Sequence, residues 1–260
     1  MQLNHTYAVK VKTIACLCLL FISCANFKAY FNTFYNARMY FEKAEKSRLQ
    51  NRGEVLPKVA VDNYNKVIEK TKVVLDEYPE FKLRKDALLL TVQSQFHLQE
   101  YSNAQGTLSL MNNEFGSLIN FDVSFWSSMI KWKEGKVQPA INDLSKLIKE
   151  DDSNNKKAKI YLAIAEIYFD QNMVSSSMDN LIKAAEFIRD PNEKGQIYYR
   201  IADISFKESN LDRALEAYQL VIKNSQTKKQ VQEGHLKSVQ IYRLQQKLAL
   251  ATKSIKNMLL

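Results

Sequence analysis

The sequence predicts an all-α fold built as a solenoid of about six helical hairpins. Glycine and proline are scarce, with 6 Gly and 4 Pro in 260 residues, whereas an all-β chain needs many tight turns that these residues supply. Small and apolar residues recur every 36 or 37 residues from Val67 onward, which is typical of a repeat protein. Apolar residues make up 46% of the chain, which excludes a disordered protein.

Residues 1–23 are predicted to be an export signal. Lys10 and Lys12 precede an apolar run over 13–23, which has the length of a signal-peptide core and is too short for a spanning helix of ~20 residues. The run ends in Phe21-Ile22-Ser23-Cys24, which resembles the bacterial lipobox. The resemblance implies cleavage after Ser23, a lipid on the Cys24 thiol and a protein held at the periplasmic face of the outer membrane. An ordinary signal peptide, or a buried apolar helix with an incidental cysteine, is the alternative.

Residues 25–50 are predicted to form one long helix, followed by an irregular turn around Asn51-Arg52-Gly53. This helix would be the first helix of the first hairpin. The aromatic face of this helix is expected to pack in the core against the helix around Val67–Leu75, and an aromatic belt at the membrane interface is the alternative. The face comprises Phe27, Tyr30 or Phe31, Phe34, Arg38 and Phe41.

The repeat is defined by anchors, each a small or apolar residue followed by two apolar positions on the same helical face. Asn210 is a good N-cap for one of these helices, and Asp212 suits its first turn. Six anchors recur at steps of 37, 37, 36, 37 and 37 residues when counted backward from Ala214 and then forward. They are Val67, Thr71 and Val74; Ala104, Leu108 and Met111; Ala140, Leu144 and Leu147; Ser177, Leu181 and Ala184; Ala214, Tyr218 and Val221; and Ala251, Ile255 and Met258.

A second amphipathic stretch precedes each anchor, and breakers such as Tyr78-Pro79 and Asp190-Pro191 separate the pairs. The pattern predicts one helical repeat domain over 24–260, with repeat boundaries near residues 80, 117, 153, 191 and 226. Small side chains are expected to let the paired helices approach closely. The residues predicted for this packing are Ala104, Ala140, Ala165, Ser177, Ala202, Ala214 and Ala251.

The spacing and pattern resemble the tetratricopeptide repeat, best over 158–223 and least over 121–152, where Ser127, Ser128 and Lys131 replace apolar or small residues. The resemblance implies a right-handed superhelix that binds other proteins.

A second resemblance is to the BamD-like lipoproteins of the outer-membrane β-barrel assembly machinery. It rests on the lipobox, the tyrosine-rich helix after it and Leu75-Asp76-Glu77-Tyr78-Pro79. That likeness implies barrel-assembly components or unfolded outer-membrane proteins as partners. A coordinator of the cell envelope or of peptidoglycan synthesis is the alternative, and a lytic enzyme or enzyme accessory subunit is the alternative of another class.

The sequence predicts no enzyme, cofactor or metal site. It contains no Gly-rich phosphate loop and no nucleophile or zinc motif. The three cysteines all lie within the first 24 residues, so the remaining chain can form no disulfide framework or thiolate metal site. His97 and His235 are expected to be surface or packing residues, and Glu166 and Glu186 are weak candidates for an acid catalyst because they adjoin apolar helices.

The formal net charge is +9 and falls to +7 without residues 1–23. Basic pairs are expected to be isolated among acids on a solvated surface, which indicates no nucleic-acid partner.

The end of the solenoid is expected to expose an apolar edge, because a last repeat lacks a neighbour that covers it. Some of Leu248, Leu250, Ile255, Leu259 and Leu260 should stay outside the core. Leu259 and Leu260 are the predicted contact with a partner or with a second copy. A final helix that folds back and shields itself is the alternative.

Overall fold

A computed structural model describes residues 33–50, 55–150, 152–225 and 227–259, and these residues form helices joined by short turns. The predicted signal segment, Cys24, residues 25–32 and Leu260 lie outside the described residues. A short 3₁₀ helix, Gly116–Ile119, follows the fourth α-helix. The α-helices are α1 (Tyr35–Gln50), α2 (Lys58–Glu77), α3 (Arg84–His97), α4 (Tyr101–Phe115), α5 (Asn120–Lys133), α6 (Val137–Glu150), α7 (Asn154–Asp170), α8 (Val174–Phe187), α9 (Pro191–Lys207), α10 (Leu211–Asn224), α11 (Lys228–Leu244) and α12 (Leu248–Leu259).

The helices form two compact units that divide between Glu134 and Gly135. In the first unit, each helix from α1 to α5 packs on the next one along the chain. In the second unit, the same holds from α6 to α12. The predicted all-α architecture of helical hairpins is confirmed, and the predicted third hairpin has α5 in one unit and α6 in the other.

The turns inside the hairpins repeat one backbone conformation. In the α9–α10 turn, the N–H of Ser209 donates to the carbonyl of Phe206 at 3.0 Å, and the N–H of Asn210 donates to that of Ser205 at 2.8 Å. This is the Schellman arrangement, in which one residue with positive φ ends the helix. In the described chain, the positive-φ residues of these turns follow one another at steps of 36, 37, 37 and 37 residues, and they are Gln99, Gly135, Asn172, Ser209 and Gln246.

Helix starts in the second unit carry side-chain caps, and one of these caps, Asn210, is the predicted N-cap. The Asn210 side chain accepts the N–H of Arg213 at 3.2 Å, as expected for an N-cap. Asp190 accepts the N–H of Glu193 at 2.8 Å, and Pro191 occupies the first turn, where its missing N–H costs no helical bond. Asp190-Pro191 therefore both separates the fourth hairpin from the fifth and starts α9.

All residues of the first five anchors are buried. In the sixth anchor, Ala251 is buried but Ile255 is 41% exposed, so the period predicts the burial of Ile255 wrongly. The expectation of an exposed apolar edge is met, because Leu248, Leu250 and Ile255 are all exposed. Ile255 is exposed because, within the described residues, it lacks the neighbouring helix that covers the equivalent residue one repeat earlier. Tyr218, one repeat earlier than Ile255, lies in a core to which α11 contributes Ile241, whereas no following helix packs on α12 in the described chain.

The first helix turns its aromatic face inward. Phe34 packs edge-to-face on Phe81 at 5.7 Å between ring centroids, and Phe41 does so on Tyr64 at 5.9 Å. The expectation that this face packs in the core therefore holds for Phe34 and Phe41. Arg38 was expected on the same face but is exposed, and Ala37 is buried in its place.

Candidate protein-interaction surface

The seven small residues predicted for helix packing all lie inside helices and are buried. Ser177 of α8 adds a direct link, because its hydroxyl donates to the carbonyl of Ala165 on α7 at 2.8 Å. Side chains without bulk at such positions let two helix backbones approach closely. The other predicted site residues are Cys24 and Leu260, which are outside the described residues, and Leu259, whose side chain is not described.

Side chains on α7, α9 and α11 meet across successive hairpins and form a repeated pattern. The Arg200 guanidinium lies 5.6 Å from the centroid of the Phe169 ring, and the Lys237 ammonium lies 5.6 Å from that of Phe206. The two rings are 37 residues apart, and so are the two cations. Arg200 also forms an ion pair with Glu166. We call Glu166, Phe169, Arg200, Phe206 and Lys237 the first-helix face.

The first-helix face is accessible to a partner. Phe169 is 45% exposed, and Phe206 is half-buried. Each cation–π contact contributes about 0.5–1 kcal/mol at such an exposed site, and the exposed part of the Phe169 ring is open to contact with another chain. Aromatic residues, including phenylalanine, and arginine are enriched in protein interfaces relative to the rest of the protein surface. The sequence contains the signal for this face, because its rings and cations follow the same 37-residue step as the anchors.

A second group of polar side chains ties three helices of the first unit together. Glu45 accepts hydrogen bonds from Arg48 at 3.0 and 2.6 Å and another from the Tyr64 hydroxyl. The Nε2 atom of His97 lies 3.4 Å from Glu45 Oε1, and its ring stacks on Tyr64 at 5.3 Å. Because these residues come from α1, α2 and α3, the cluster joins the first hairpin to the second.

Burial and charge shift the pKa values in this cluster. Burial raises the pKa of Tyr64, and the hydrogen bond to Glu45 raises it further. Burial is the largest single effect on Glu45 and opposes its ionisation, but the hydrogen bonds from Arg48 and Tyr64 and the nearby positive charge together outweigh it and lower the pKa of that carboxyl. Burial, assisted by the nearby Arg48 charge, lowers the pKa of His97 to about 4. At neutral pH the cluster is thus an ionised Glu45–Arg48 pair between a neutral phenol and a neutral imidazole, which suits structural cohesion.

The two weak candidates for an acid catalyst are both at the surface. The Glu166 carboxylate is 45% exposed and paired with Arg200, and Glu186 is exposed on α8. Neither carboxylate occupies the buried position that proton donation to a glycosidic oxygen requires. Within the described ranges, no three side chains of the His, Cys, Asp and Glu types converge as metal ligands. Over the same residues, no helix combines the length and apolar character needed to cross a bilayer.

Comparisons with known proteins agree with this architecture. The tetratricopeptide-repeat family profile matches residues 195–228, which cover most of the fifth hairpin. BtubC from P. vanneervenii is similar in structure, with a TM-score of 0.52, 9% identity and coverage of 76% of this chain and 87% of BtubC. The apo form of RapI has a TM-score of 0.54, 15% identity and coverage of 85% of this chain and 62% of RapI.

A tetratricopeptide repeat protein from Parabacteroides merdae is also similar, at 13% identity and a TM-score of 0.43, over 86% of this chain and 79% of that protein. No curated protein matches the sequence. The repeat match and the hairpins together show the fold, an all-α solenoid of the tetratricopeptide type. Such a fold supports a role as a scaffold for protein–protein interaction.

Proposed function

We propose that this protein is a non-enzymatic scaffold that binds an extended segment of another protein across the first-helix face. The observation that carries the proposal is the repeated pairing of Phe169 with Arg200 and of Phe206 with Lys237. Successive hairpins present the same ring and cation at the same step, so an extended chain meets equivalent contacts as it crosses them. The exposed edge of Phe169 supplies apolar contact, and Glu166 and Arg200 supply polar contact.

Photo-crosslinking tests this surface. A benzoylphenylalanine placed at Phe169 should form adducts with a bound protein, since that ring is half exposed on the proposed face. The matched control is the same probe at Ile182, which is 38% exposed on α8 in the same unit. Adducts at both positions alike, or at Ile182 alone, would show that the first-helix face is not the binding surface.

The place of action that we propose is the periplasmic face of the outer membrane, with Cys24 as the lipid attachment site. The support is the lipobox-like Phe21-Ile22-Ser23-Cys24 after a basic, acid-free segment. Cys24→Ser should release the protein from membranes, because several buried acyl chains supply the anchoring free energy. Mass spectrometry of the mature N terminus decides the point, and an unmodified Cys24 or an intact segment 1–23 would refute it.

The specific process that we propose is assembly of outer-membrane β-barrel proteins. Its support is the combined likeness of the lipobox, the tyrosine-rich α1 and the segment Leu75-Asp76-Glu77-Tyr78-Pro79 to the BamD-like lipoproteins. Affinity purification from solubilised envelopes, followed by mass spectrometry, should recover barrel-assembly components with the native protein and fewer with a Phe169→Glu variant. Recovery of peptidoglycan-synthesis proteins instead would replace this process with the coordinator role.

A further inference from the structure

The last hairpin differs in charge from its two predecessors. The hairpin α7–α8 carries four basic and four acidic residues, and α9–α10 carries five of each. The hairpin α11–α12 carries seven basic residues and one acid, Glu233, for a formal charge of +6. The net charge of the chain is therefore concentrated here, and in this hairpin the basic residues are not isolated among acids as expected. The basic residues are Lys228, Lys229, Lys237, Arg243, Lys247, Lys253 and Lys256.

The same hairpin borders a groove of about 270 Å³ that is lined by α10, α11 and α12. We call it the α10–α12 groove. His235 and Ser238 form its base, at 8% and 2% exposure, while Leu250 at 44% exposure stands at its rim. Of the described residues that line it, none is acidic and Lys253 is basic. Gln219, Ile222, Tyr242, Ser254 and Asn257 complete the lining.

The repeat explains why the groove exists in this hairpin. The position of His235 is occupied by tyrosine one and two repeats earlier, and the position of Ser238 is occupied by isoleucine. One of those tyrosines, Tyr161, stacks on Phe187 at 5.7 Å between centroids, so it fills space beside its own hairpin. Smaller, polar side chains leave that space open in the last hairpin. The earlier residues are Tyr161 and Tyr198 in the first case and Ile164 and Ile201 in the second.

The polar atoms of the groove suit an anion. His235 Nδ1 lies 3.1 Å from Ser254 Oγ, so one side of the imidazole is already occupied. The Tyr242 oxygen accepts from Gln219 Nε2 at 3.2 Å, which leaves the phenolic O–H as a donor. Burial lowers the pKa of His235, which keeps the imidazole neutral at pH 7. Within the described chain Lys253 has no ion-pair partner, so its ammonium is available to a ligand.

We propose that the α10–α12 groove binds a carboxylate side chain from an acidic segment of a partner protein. Lys253 pairs with the carboxylate, Tyr242 and Asn257 donate hydrogen bonds, and Ile222 and Leu250 contact the aliphatic part of the side chain. The recessed base favours a protruding side chain over a flat anionic surface, and the +6 charge of the hairpin attracts an acidic chain. The inference rests on the proposed scaffold function but concerns a different surface from the first-helix face.

The test measures binding of defined probes to the full-length protein by titration calorimetry at constant salt. The probes are a synthetic octapeptide of alternating glutamate and leucine, its glutamine counterpart, acetate and phosphate, and vesicles of phosphatidylglycerol and phosphatidylcholine. His235→Tyr combined with Ser238→Ile restores the residues of the earlier repeats and fills the groove. Lys253→Glu reverses the rim charge at an exposed position, so it tests the site even where the double variant fails to fold. Lys228→Glu is the control, because it makes the same charge change outside the groove.

The proposal expects the glutamate peptide to bind at least tenfold more tightly than the glutamine peptide. Binding should weaken at least tenfold in both groove variants and less than twofold in Lys228→Glu. Equal loss in Lys228→Glu would replace the groove with a diffuse charge effect, and binding of vesicles alone would replace the partner with a membrane surface. Acetate or phosphate binding as tightly as the peptide would show a free small anion as the ligand. Normal crosslinking at Phe169 with no peptide binding would overturn this inference and leave the proposed function intact.

Discussion

The His97 imidazole lies between the Tyr64 ring and the Glu45 carboxylate, away from solvent. Burial, together with the Arg48 charge, lowers the pKa of His97 to about 4, against about 6.5 in an unfolded chain. The folded protein therefore binds this proton less readily than the unfolded chain. The stability contribution of neutral His97 is complete above pH ~6.5, and the free energy of unfolding falls as the pH drops from about 6.5 to about 4.

We therefore expect the melting temperature of the wild type to fall over this pH window by more than that of His97→Gln. A shift of this size corresponds to at most about 3 kcal/mol, and the gap between the two proteins should be widest near pH 7.5. The ring carbon signals of His97, assigned by comparison with the variant, should not titrate above pH 5. A titration midpoint near 6.5, or parallel melting curves for both proteins at all pH values, would contradict the burial of a neutral imidazole.

The environment of His97 could not be predicted from the sequence. His97 is expected to be a surface or packing residue and it is a packing residue, but Tyr64 and Glu45 lie 33 and 52 positions away on two other helices. A spacing that occurs once carries no periodic signal. The pairs Phe169–Arg200 and Phe206–Lys237 are different, because each cation follows its ring by 31 residues and the pairs repeat at 37. Those contacts could have been predicted once the repeat was known.

At the scale of the elements, the closest helix approaches depend on residues without side-chain bulk. A Cβ atom added at Gly234 of α11 would lie 2.9 Å from Ile222 Cγ1 and 3.4 Å from the Tyr218 carbonyl oxygen on α10. A Cβ atom added at Gly106 of α4 would meet nothing within 4 Å. Both glycines lie inside helices, so the intrinsic helix preference of alanine acts equally on both.

These two glycines make a matched pair of variants. Gly106→Ala should stabilise the protein by about 0.5–1 kcal/mol, because alanine costs less backbone entropy in a helix. Gly234→Ala has the same favourable effect on backbone entropy, but its added methyl group crowds α10. Because such crowding costs about 1–3 kcal/mol, the melting temperature of this variant should fall. Denaturant unfolding of both variants gives the two changes in free energy. Equal stabilisation by both substitutions would show that α10 and α11 are not in close contact at Gly234.

The period predicts the elements well where each helix has a neighbour on both sides. All five earlier anchors are buried, because the same inward positions face the next hairpin in every repeat. Ile255 departs from the period because α12 packs mainly on α11 and no following helix covers its other side in the described chain. Arg38 departs because α1 turns Ala37 inward between Phe34 and Ala44, and aromatic spacing alone sets a helical face only to within about one residue.

At the scale of the whole molecule, the second unit contains a core that runs through successive hairpins. One cluster of buried side chains joins Ala165 of α7, Leu181 of α8, Ile201 of α9, Tyr218 of α10 and Ile241 of α11. In repeat proteins each hairpin contacts only its neighbours. The stability of the array is approximately the sum of the intrinsic stability of each hairpin and the stability of each interface between adjacent hairpins. A stretch with several hairpins and a continuous core therefore contains the interactions needed to fold.

We expect a fragment of residues 135–260 to fold without the first unit. It should give a helical far-ultraviolet spectrum and a single cooperative urea transition, because the cluster from α7 to α11 lies entirely within it. A shorter fragment, 135–190, keeps α6, α7 and α8 but loses the helices that cover Leu181 and Ala184, so it should be unfolded, since about three repeats are needed to bury a continuous core. If 135–260 is unfolded alone and gains helix only on addition of the fragment 33–134, then the second unit depends on the first for its stability, and the additive account of this array is wrong.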